Sequence, residues 1–245
     1  MSLSIKRCRR ELKFLMMGKI AVITGGSKGI GKAILEKFAS EGFTVITCAR
    51  NSAGLGNLKS KYKNIHFTLC DLSDKESLKK FILFVESQTK QIDILVNNTG
   101  IYIPGQVHNE EEGVLEKMIN TNLYSAYGVT RGLIPNFLKQ QSGHIFNICS
   151  TASIMPYIDG GSYCISKYAL YGMTKVLREE MKEHGVKVTA VLPGATYTSS
   201  FEGTDLPEER FMKPEDVAEA IWGAYNLSSH AVVEELLIRP QLGDL

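Results

Sequence analysis

No stretch of this chain approaches the ~20 consecutive apolar residues that a membrane-spanning helix needs, so the sequence offers no span. Nor does it carry a surplus of charge. The 28 Lys and Arg against 26 Asp and Glu leave a formal net charge of +2, and the cations are scattered, which gives no basic field for nucleic acid. Cysteine is sparse and unpatterned: Cys8, Cys48, Cys70, Cys149 and Cys164 form no C-x-x-C pair and no metal-ligand spacing. They mostly end apolar runs or lie within a helical pattern, so they read as reduced core thiols and fit a cytoplasmic protein. No metal is expected. No export signal is expected at the N-terminus either. Lys6-Arg7-Cys8-Arg9-Arg10 precedes an apolar stretch from Leu12 to Met17, but that stretch is short, contains Lys13 and has no small-residue cleavage site. Residues 1–17 are set apart as an extension, either an added tag or an upstream start with Met16 or Met17 as the alternative, and one domain is expected over 18–245.

What the chain does have is a phenol and an ammonium one helical turn apart, in Tyr163-Cys-Ile-Ser-Lys167. A free tyrosine titrates near about 10 and becomes a useful acid or base near neutrality only when a cation stabilises its phenolate. Lys167 is that cation. A hydroxyl such as Ser150 can hold a carbonyl oxygen beside the phenol and polarise it. No side chain donates hydride, so this chemistry requires a nicotinamide cofactor and a site for it.

Gly18-Lys-Ile-Ala-Val-Ile-Thr24 reads as a short strand, broken by Gly25-Gly26-Ser27-Lys28-Gly29-Ile30-Gly31 before Ile30, Ile34 and Phe38 at helical spacing. Strand, glycine loop and helix make a pyrophosphate cradle, because free N–H groups and the dipole at the helix start favour phosphate. The spacing Gly25-x-x-x-Gly29-x-Gly31 differs from the usual G-x-G-x-x-G. Further strands are expected near 43–48, 65–70, 92–97, 144–149, 187–192 and 234–239. Between them lie helical patterns such as Leu78, Phe81, Ile82, Val85 and Val217, Ala220, Ile221, Ala224. With 245 residues and 44% hydrophobic content, the alternation predicts a single α/β domain with a Rossmann fold: a doubly wound, seven-stranded parallel sheet covered by helices on both faces. Right-handed crossovers gather the post-strand loops along one carboxyl edge, the expected active-site cleft.

Five motifs in register, Thr24 to Gly31, Asp71, Asn97-Asn98-Thr99-Gly100, Asn122 with Ser150/Tyr163/Lys167, and Pro193-Gly194 with Thr198, resemble the short-chain dehydrogenase/reductase family over nearly the whole chain from Gly18. The resemblance implies that Tyr163 is the general acid in reduction and the base in oxidation, and that Ser150 orients the carbonyl. It implies that Lys167 binds the nicotinamide ribose and lowers the Tyr163 pKa, while Asn122 holds a relay water behind Lys167. It assigns the cofactor to Gly25, Ser27, Lys28, Gly29, Ile30, Gly31, Asp71, Leu72, Asn98, Gly100, Pro193, Gly194, Thr196 and Thr198, with Asp71 at the adenine and Thr198 at the carboxamide or phosphates. Thr99 departs from the family's usual Ala, a change expected to be tolerated.

An NAD-preferring member would carry a carboxylate at the end of the second strand for the ribose 2′-hydroxyl. Ala49 stands there, followed by Arg50, and Lys28 lies in the glycine loop, so two cations converge on a 2′-phosphate. The expected cofactor is NADP(H). The helix bearing Tyr163 is apolar on more than one side (Ile165, Leu170, Met173, Val176, Leu177), and the family commonly pairs this helix across a two-fold axis, so a homodimer or homotetramer is expected. For the substrate, Met155, Tyr157 and Tyr102 are candidate wall residues. The segment from Thr198 to Pro214 reads as a mobile lid whose Phe201, Phe211 and Met212 would close over an apolar or aromatic ketone. The favoured reading is a carbonyl reductase of the sepiapterin reductase and small-ketone branch. The alternative is a 3-oxoacyl-[acyl-carrier-protein] reductase, whose carrier-binding arginines are replaced here by Gln141 and His184, with Lys139 and Lys182 close by. A non-catalytic NADP(H)-binding regulator is the remote third reading, disfavoured because Ser150, Tyr163, Lys167 and Asn122 are all kept.

Overall fold

A computed structural model describes residues 18–243 apart from residue 53 and residues 199–203; the expected N-terminal extension and Phe201 lie outside the described residues. All seven expected strands form: β1 (Ile20–Thr24), β2 (Thr44–Ala49), β3 (Ile65–Leu69), β4 (Ile94–Asn97), β5 (Gly143–Ile148), β6 (Val186–Pro193) and β7 (Glu235–Ile238). They make one sheet in the order β3-β2-β1-β4-β5-β6-β7, every pairing parallel. The helices between them are α1 (Gly29–Ser40), α2 (Leu55–Lys61), α3 (Lys75–Gln88), α4 (Val114–Ile119), α5 (Ser125–Gln140), α6 (Gly161–Met181) and α7 (Pro214–Tyr225). Among the described residues no helix is long and apolar enough to cross a membrane.

The central strands β1 and β4 read as nearly unbroken apolar runs, and both are buried along their length because helices cover both faces of the sheet there. Alternate side chains of β1 go to opposite cores. Ala21 and Ile23 join Ile34, Phe38, Val217 and Ile221 from α1 and α7, while Ile20 and Val22 join Phe81, Val85, Val129, Leu133 and Leu177 from α3, α5 and α6. Fully burying a side chain such as Phe38 or Phe81 contributes about 1.5–3 kcal/mol, and neither is exposed at all. Phe38 also meets Phe43 and Trp222 edge-on at 5.1 and 5.4 Å.

The strand order reverses between β1 and β4, so the helices that follow them leave on opposite faces and a crevice opens at the carboxyl ends. One element has no counterpart in the sequence reading. Asn120–Tyr124 is a π-helical turn joining α4 to α5, the kind of widened turn that sits at functional sites.

Candidate active site

The cleft at the carboxyl edge has a volume of about 1050 Å³. Its phosphate end is built by the loop after β1. Gly25 and Gly29 adopt φ of +69° and +54°, conformations open to glycine and costly for other residues. α1 starts behind Lys28, whose side chain does not cap it, so first-turn N–H groups face the cleft. Gly31 is needed for space, since a Cβ there would lie 2.3 Å from Asn98 Nδ2 and 2.4 Å from the Gly25 carbonyl oxygen. Thr47, in the middle of β2, anchors the loop from below: its Oγ1 donates to the Ile23 carbonyl at 2.6 Å and accepts the Gly26 N–H at 3.2 Å.

The neighbouring strand ends complete that wall. Ala49 is buried, Arg50 is exposed, and both line the cleft with Asp71 and Leu72. Asp71 Oδ1 accepts from the Ser73 N–H and hydroxyl at 3.0 and 2.7 Å, and these bonds hold its carboxyl below the usual carboxylate range. Asn98 Nδ2 donates to the carbonyls of Thr24 and Gly25 at 3.0 and 3.2 Å, so the side chain ties β4 to the glycine loop while lining the cleft. Thr99 lines it too, its Oγ1 lying 3.2 Å from where a Cβ on Gly25 would stand. Cys48, Cys70 and Cys149, read from sequence as core thiols, are buried but reach the cleft wall; Cys164 is a buried free thiol away from it, and Cys8 lies outside the described residues.

At the other end stand Ser150, Tyr163 and Lys167. Ser150 follows β5 and opens a short 3₁₀ turn: its Oγ accepts the Ala152 N–H at 3.1 Å, and its own N–H donates to Ser153 Oγ at 3.2 Å. With an Oγ lone pair engaged, the hydroxyl proton is left to point at an acceptor in the cleft. Burial pushes the Tyr163 phenol above its ordinary pKa, and a hydrogen bond with Ser150 opposes that rise. Lys167 Nζ lies 5.7 Å from the centre of the Tyr163 ring and donates to the Ile148 carbonyl at 2.8 Å. Its burial draws the ammonium down to about 8. In this arrangement burial therefore outweighs any downward pull of Lys167 on the phenol.

Every sequence-predicted cofactor residue lines this cleft, as do Ser150, Met155, Tyr157 and Tyr102. Asn122 does not. It is fully buried behind Gly100, where its Oδ1 accepts the Ile101 N–H at 2.7 Å and its Nδ2 donates to the Ile101 carbonyl at 3.0 Å and to Ser166 Oγ at 2.8 Å. Both amide protons are thus spent on holding the loop after β4 against α6, and only the second Oδ1 lone pair is left for a water.

Two lid residues expected from sequence to close over the substrate lie elsewhere. Phe211 and Met212 are buried and do not line the cleft; Met212 packs in the core beside Val217, and Phe211 meets Tyr197 edge-on at 5.6 Å. The cause is a two-bond strap: the Tyr197 N–H donates to the Met212 carbonyl at 2.8 Å and the Met212 N–H to the Ala195 carbonyl at 3.0 Å. This end of the expected lid is a fixed element of the fold. Conversely, Lys117, Asn120 and Thr121 line the cleft from α4 and the π-turn, and the only sequence cue was their closeness to Asn122.

A family model described as short chain dehydrogenase matches residues 19–208. The chain is 31% identical to an uncharacterized oxidoreductase of Staphylococcus epidermidis, over 91% of this chain and 97% of the relative. It is 31% identical to sepiapterin reductase of Chlorobaculum tepidum, over 94% and 99%. Its fold is similar to the closed form of serine dehydrogenase complexed with NADP+, with a TM-score of 0.82 and 30% identity over 89% of this chain and 94% of that one.

Proposed function

The chain belongs to the short-chain dehydrogenase family, and on that premise we propose that it is an NADP(H)-dependent oxidoreductase that reduces a small ketone or aldehyde to its alcohol. The observation that carries this reading is the convergence of Ser150, Tyr163 and Lys167 at the end of a cleft whose other end is a glycine cradle. The residues fit the cofactor. The N–H groups at the start of α1 suit the pyrophosphate. The absence of a carboxylate at Ala49, with Lys28 and Arg50 beside it, suits a 2′-phosphate, and Asp71 and Leu72 suit the adenine. A similar NADP+ complex agrees with that preference.

NADP(H), when bound, supplies the hydride. Ser150 Oγ–H donates to the substrate carbonyl oxygen and orients it, and Tyr163 Oη gives its proton to the same oxygen. Lys167 stabilises the phenolate that remains and binds the ribose hydroxyls; Asn122 holds the loop behind it. In oxidation Tyr163 runs the same transfer in reverse. Met155 and Tyr157, both about half exposed at the mouth, supply an apolar rim for a ketone with an apolar or aromatic substituent. Free thiols at Cys48, Cys70, Cys149 and Cys164 accord with a reducing cytoplasm.

The test is reduced-nicotinamide oxidation, NADPH against NADH, over diketones, aromatic aldehydes, a pteridine ketone and an acetoacetyl thioester. Turnover with NADPH on the small carbonyls is expected; preference for the thioester would move the reading to a carrier-protein reductase. Tyr163→Phe should abolish turnover while leaving NADPH binding, followed by fluorescence, within about twofold. Unchanged turnover in that variant would sink the mechanism.

A further inference from the structure

Glu110 lies in the segment between β4 and α4, outside the cleft, yet its carboxylate is committed to the helix that carries Tyr163. Its Oε1 accepts the Ser162 N–H at 2.8 Å, and its Oε2 accepts the Ser162 hydroxyl. α6 begins at Gly161 behind Gly160, which has no side chain to cap it. The first-turn N–H groups of any helix need acceptors, and a carboxylate at the positive end of a 21-residue helix is well placed to be one.

The surroundings are shaped around that carboxylate. A Cβ on Gly161 would stand 2.0 Å from Glu110 Oε1, and one on Gly105 would stand 2.7 Å from Glu110 Cγ. The same segment is fastened to the turn ahead of α6. The Gly105 N–H donates to the Asp159 carbonyl at 3.0 Å, and Gln106 Nε2 donates to Asp159 Oδ1 at 2.6 Å. Asp159 is held at φ +64°, an uncommon conformation for a residue other than glycine. Two consequences meet at one side chain. Ser162 immediately precedes Tyr163, and Tyr102, near the start of the fastened segment, packs edge-on against the Tyr163 ring at 5.0 Å.

We propose that Glu110 is a positioning residue for Tyr163: by capping α6 through Ser162 from the opposite loop, it fixes where the phenol sits in the cleft. The inference rests on the reading of Tyr163 as the proton donor. A phenol displaced by a fraction of an ångström keeps its chemistry but loses alignment with the carbonyl, so the effect falls on turnover and spares cofactor binding.

The experiment is steady-state kinetics on Glu110→Ala, Glu110→Gln, Gly161→Ala and Ser162→Ala, with Tyr163→Phe in parallel and NADPH affinity measured by fluorescence titration. Glu110→Ala should lower kcat by about 10- to 100-fold with NADPH affinity within about twofold. Gly161→Ala, whose methyl takes the place of Oε1, should reproduce that loss. Glu110→Gln should recover part of it, because an amide oxygen can accept one of the two bonds. Combining Glu110→Ala with Ser162→Ala should cost no more than Glu110→Ala alone, since the two residues act as one unit. Wild-type kcat in Glu110→Ala beside an inactive Tyr163→Phe overturns this inference alone. A kcat loss matched by an equal loss of NADPH affinity, with no recovery in Glu110→Gln, also overturns it. If Glu110→Ala does not fold, wild-type kcat in both Glu110→Gln and Gly161→Ala has the same force. Turnover surviving in Tyr163→Phe removes the reading of the phenol and this inference with it.

Discussion

Lys28 and Arg50 are both exposed and both face the phosphate end of the cleft, one from the residue ahead of α1 and one from the residue after β2. A hydrogen bond to a charged group is worth about 1.5–3 kcal/mol, or roughly 10- to 100-fold in affinity. Replacing both by Ala should weaken NADPH binding by about that factor while leaving NADH binding nearly unchanged; titrations in which both cofactors weaken equally would remove the 2′-phosphate reading. His144 illustrates a different residue-scale effect, far from the site at the start of β5. It is buried and stacked on Phe146, its Nε2 pairs with Thr189 Oγ1 at 2.7 Å, and its Nδ1 has no partner among the described residues. Because Thr189 donates its own proton to the Val233 carbonyl, Nε2 is assigned the ring proton, and protonation would place a second N–H where nothing accepts it. Burial accordingly depresses its pKa from 6.5 to about 3. The neutral imidazole is the stabilised form, so its contribution is complete above about pH 6.5 and is lost as pH falls, by about 2 kcal/mol at pH 5. Thermal melts between pH 7 and pH 5 should show this decline, and His144→Phe should flatten it. An equally steep decline in that variant would exclude His144 as the cause.

At the scale of elements, the junction of β1 and α1 tests whether the glycine loop is a packing solution as well as a phosphate cradle. Gly31→Ala forces a methyl between the Asn98 amide and the Gly25 carbonyl, so α1 must move away from the sheet edge. Overpacking of this kind typically costs 1–3 kcal/mol. The expected result is a lower Tm and NADPH binding weakened by about tenfold or more, because the displaced N–H groups are those that face the phosphates. Wild-type Tm and affinity would show that the loop yields instead. The strand and helix pattern itself was legible because β1 and β4 are nearly continuous apolar runs and α1, α3 and α7 keep a 3.6-residue stripe. The π-turn around Asn122 was not legible, since five residues of slightly widened helix leave no periodic trace. The strap at Met212 was missed for a related reason. A polar, Gly- and Pro-containing stretch reads as loose, but two backbone bonds to Ala195 and Tyr197 fix its end, and backbone pairing does not depend on side-chain pattern.

At the scale of the whole molecule, large apolar side chains stay exposed on α5, its preceding turn and α6: Tyr124 is 55% exposed, Val176 59%, and Tyr127, Ile165 and Tyr168 each more than 40%. Exposed large side chains, when contiguous, can serve as an association surface, and we propose that these take part in forming a homodimer or homotetramer. Light scattering at micromolar concentration should give two or four times the mass of the chain, and Tyr168→Glu should shift the population toward monomer. A wild-type monomer under those conditions would exclude the pairing. Association of this kind would also stabilise α6, and with it the Ser162 cap and the Tyr163 to Lys167 turn, against local opening.

By itself the sequence determined the fold class, where the seven strands lie along the chain and which post-strand loops meet at the carboxyl edge. Those follow from periodicity, from glycine at turns and from the chirality of parallel crossovers, all of which are local or nearly so. Residues as far apart as Gly25, Asp71, Ser150 and Thr198 reach one cleft for that reason. Only the tertiary structure decided how the side chains are held there. It turned Asn122 inward to clasp Ile101 and Ser166, sent Phe211 and Met212 into the core, and brought Glu110 to the head of α6. Each of these is a contact between segments distant in the chain, set by packing density and by the need of buried N–H groups for acceptors, and neither requirement has a period that a sequence can display.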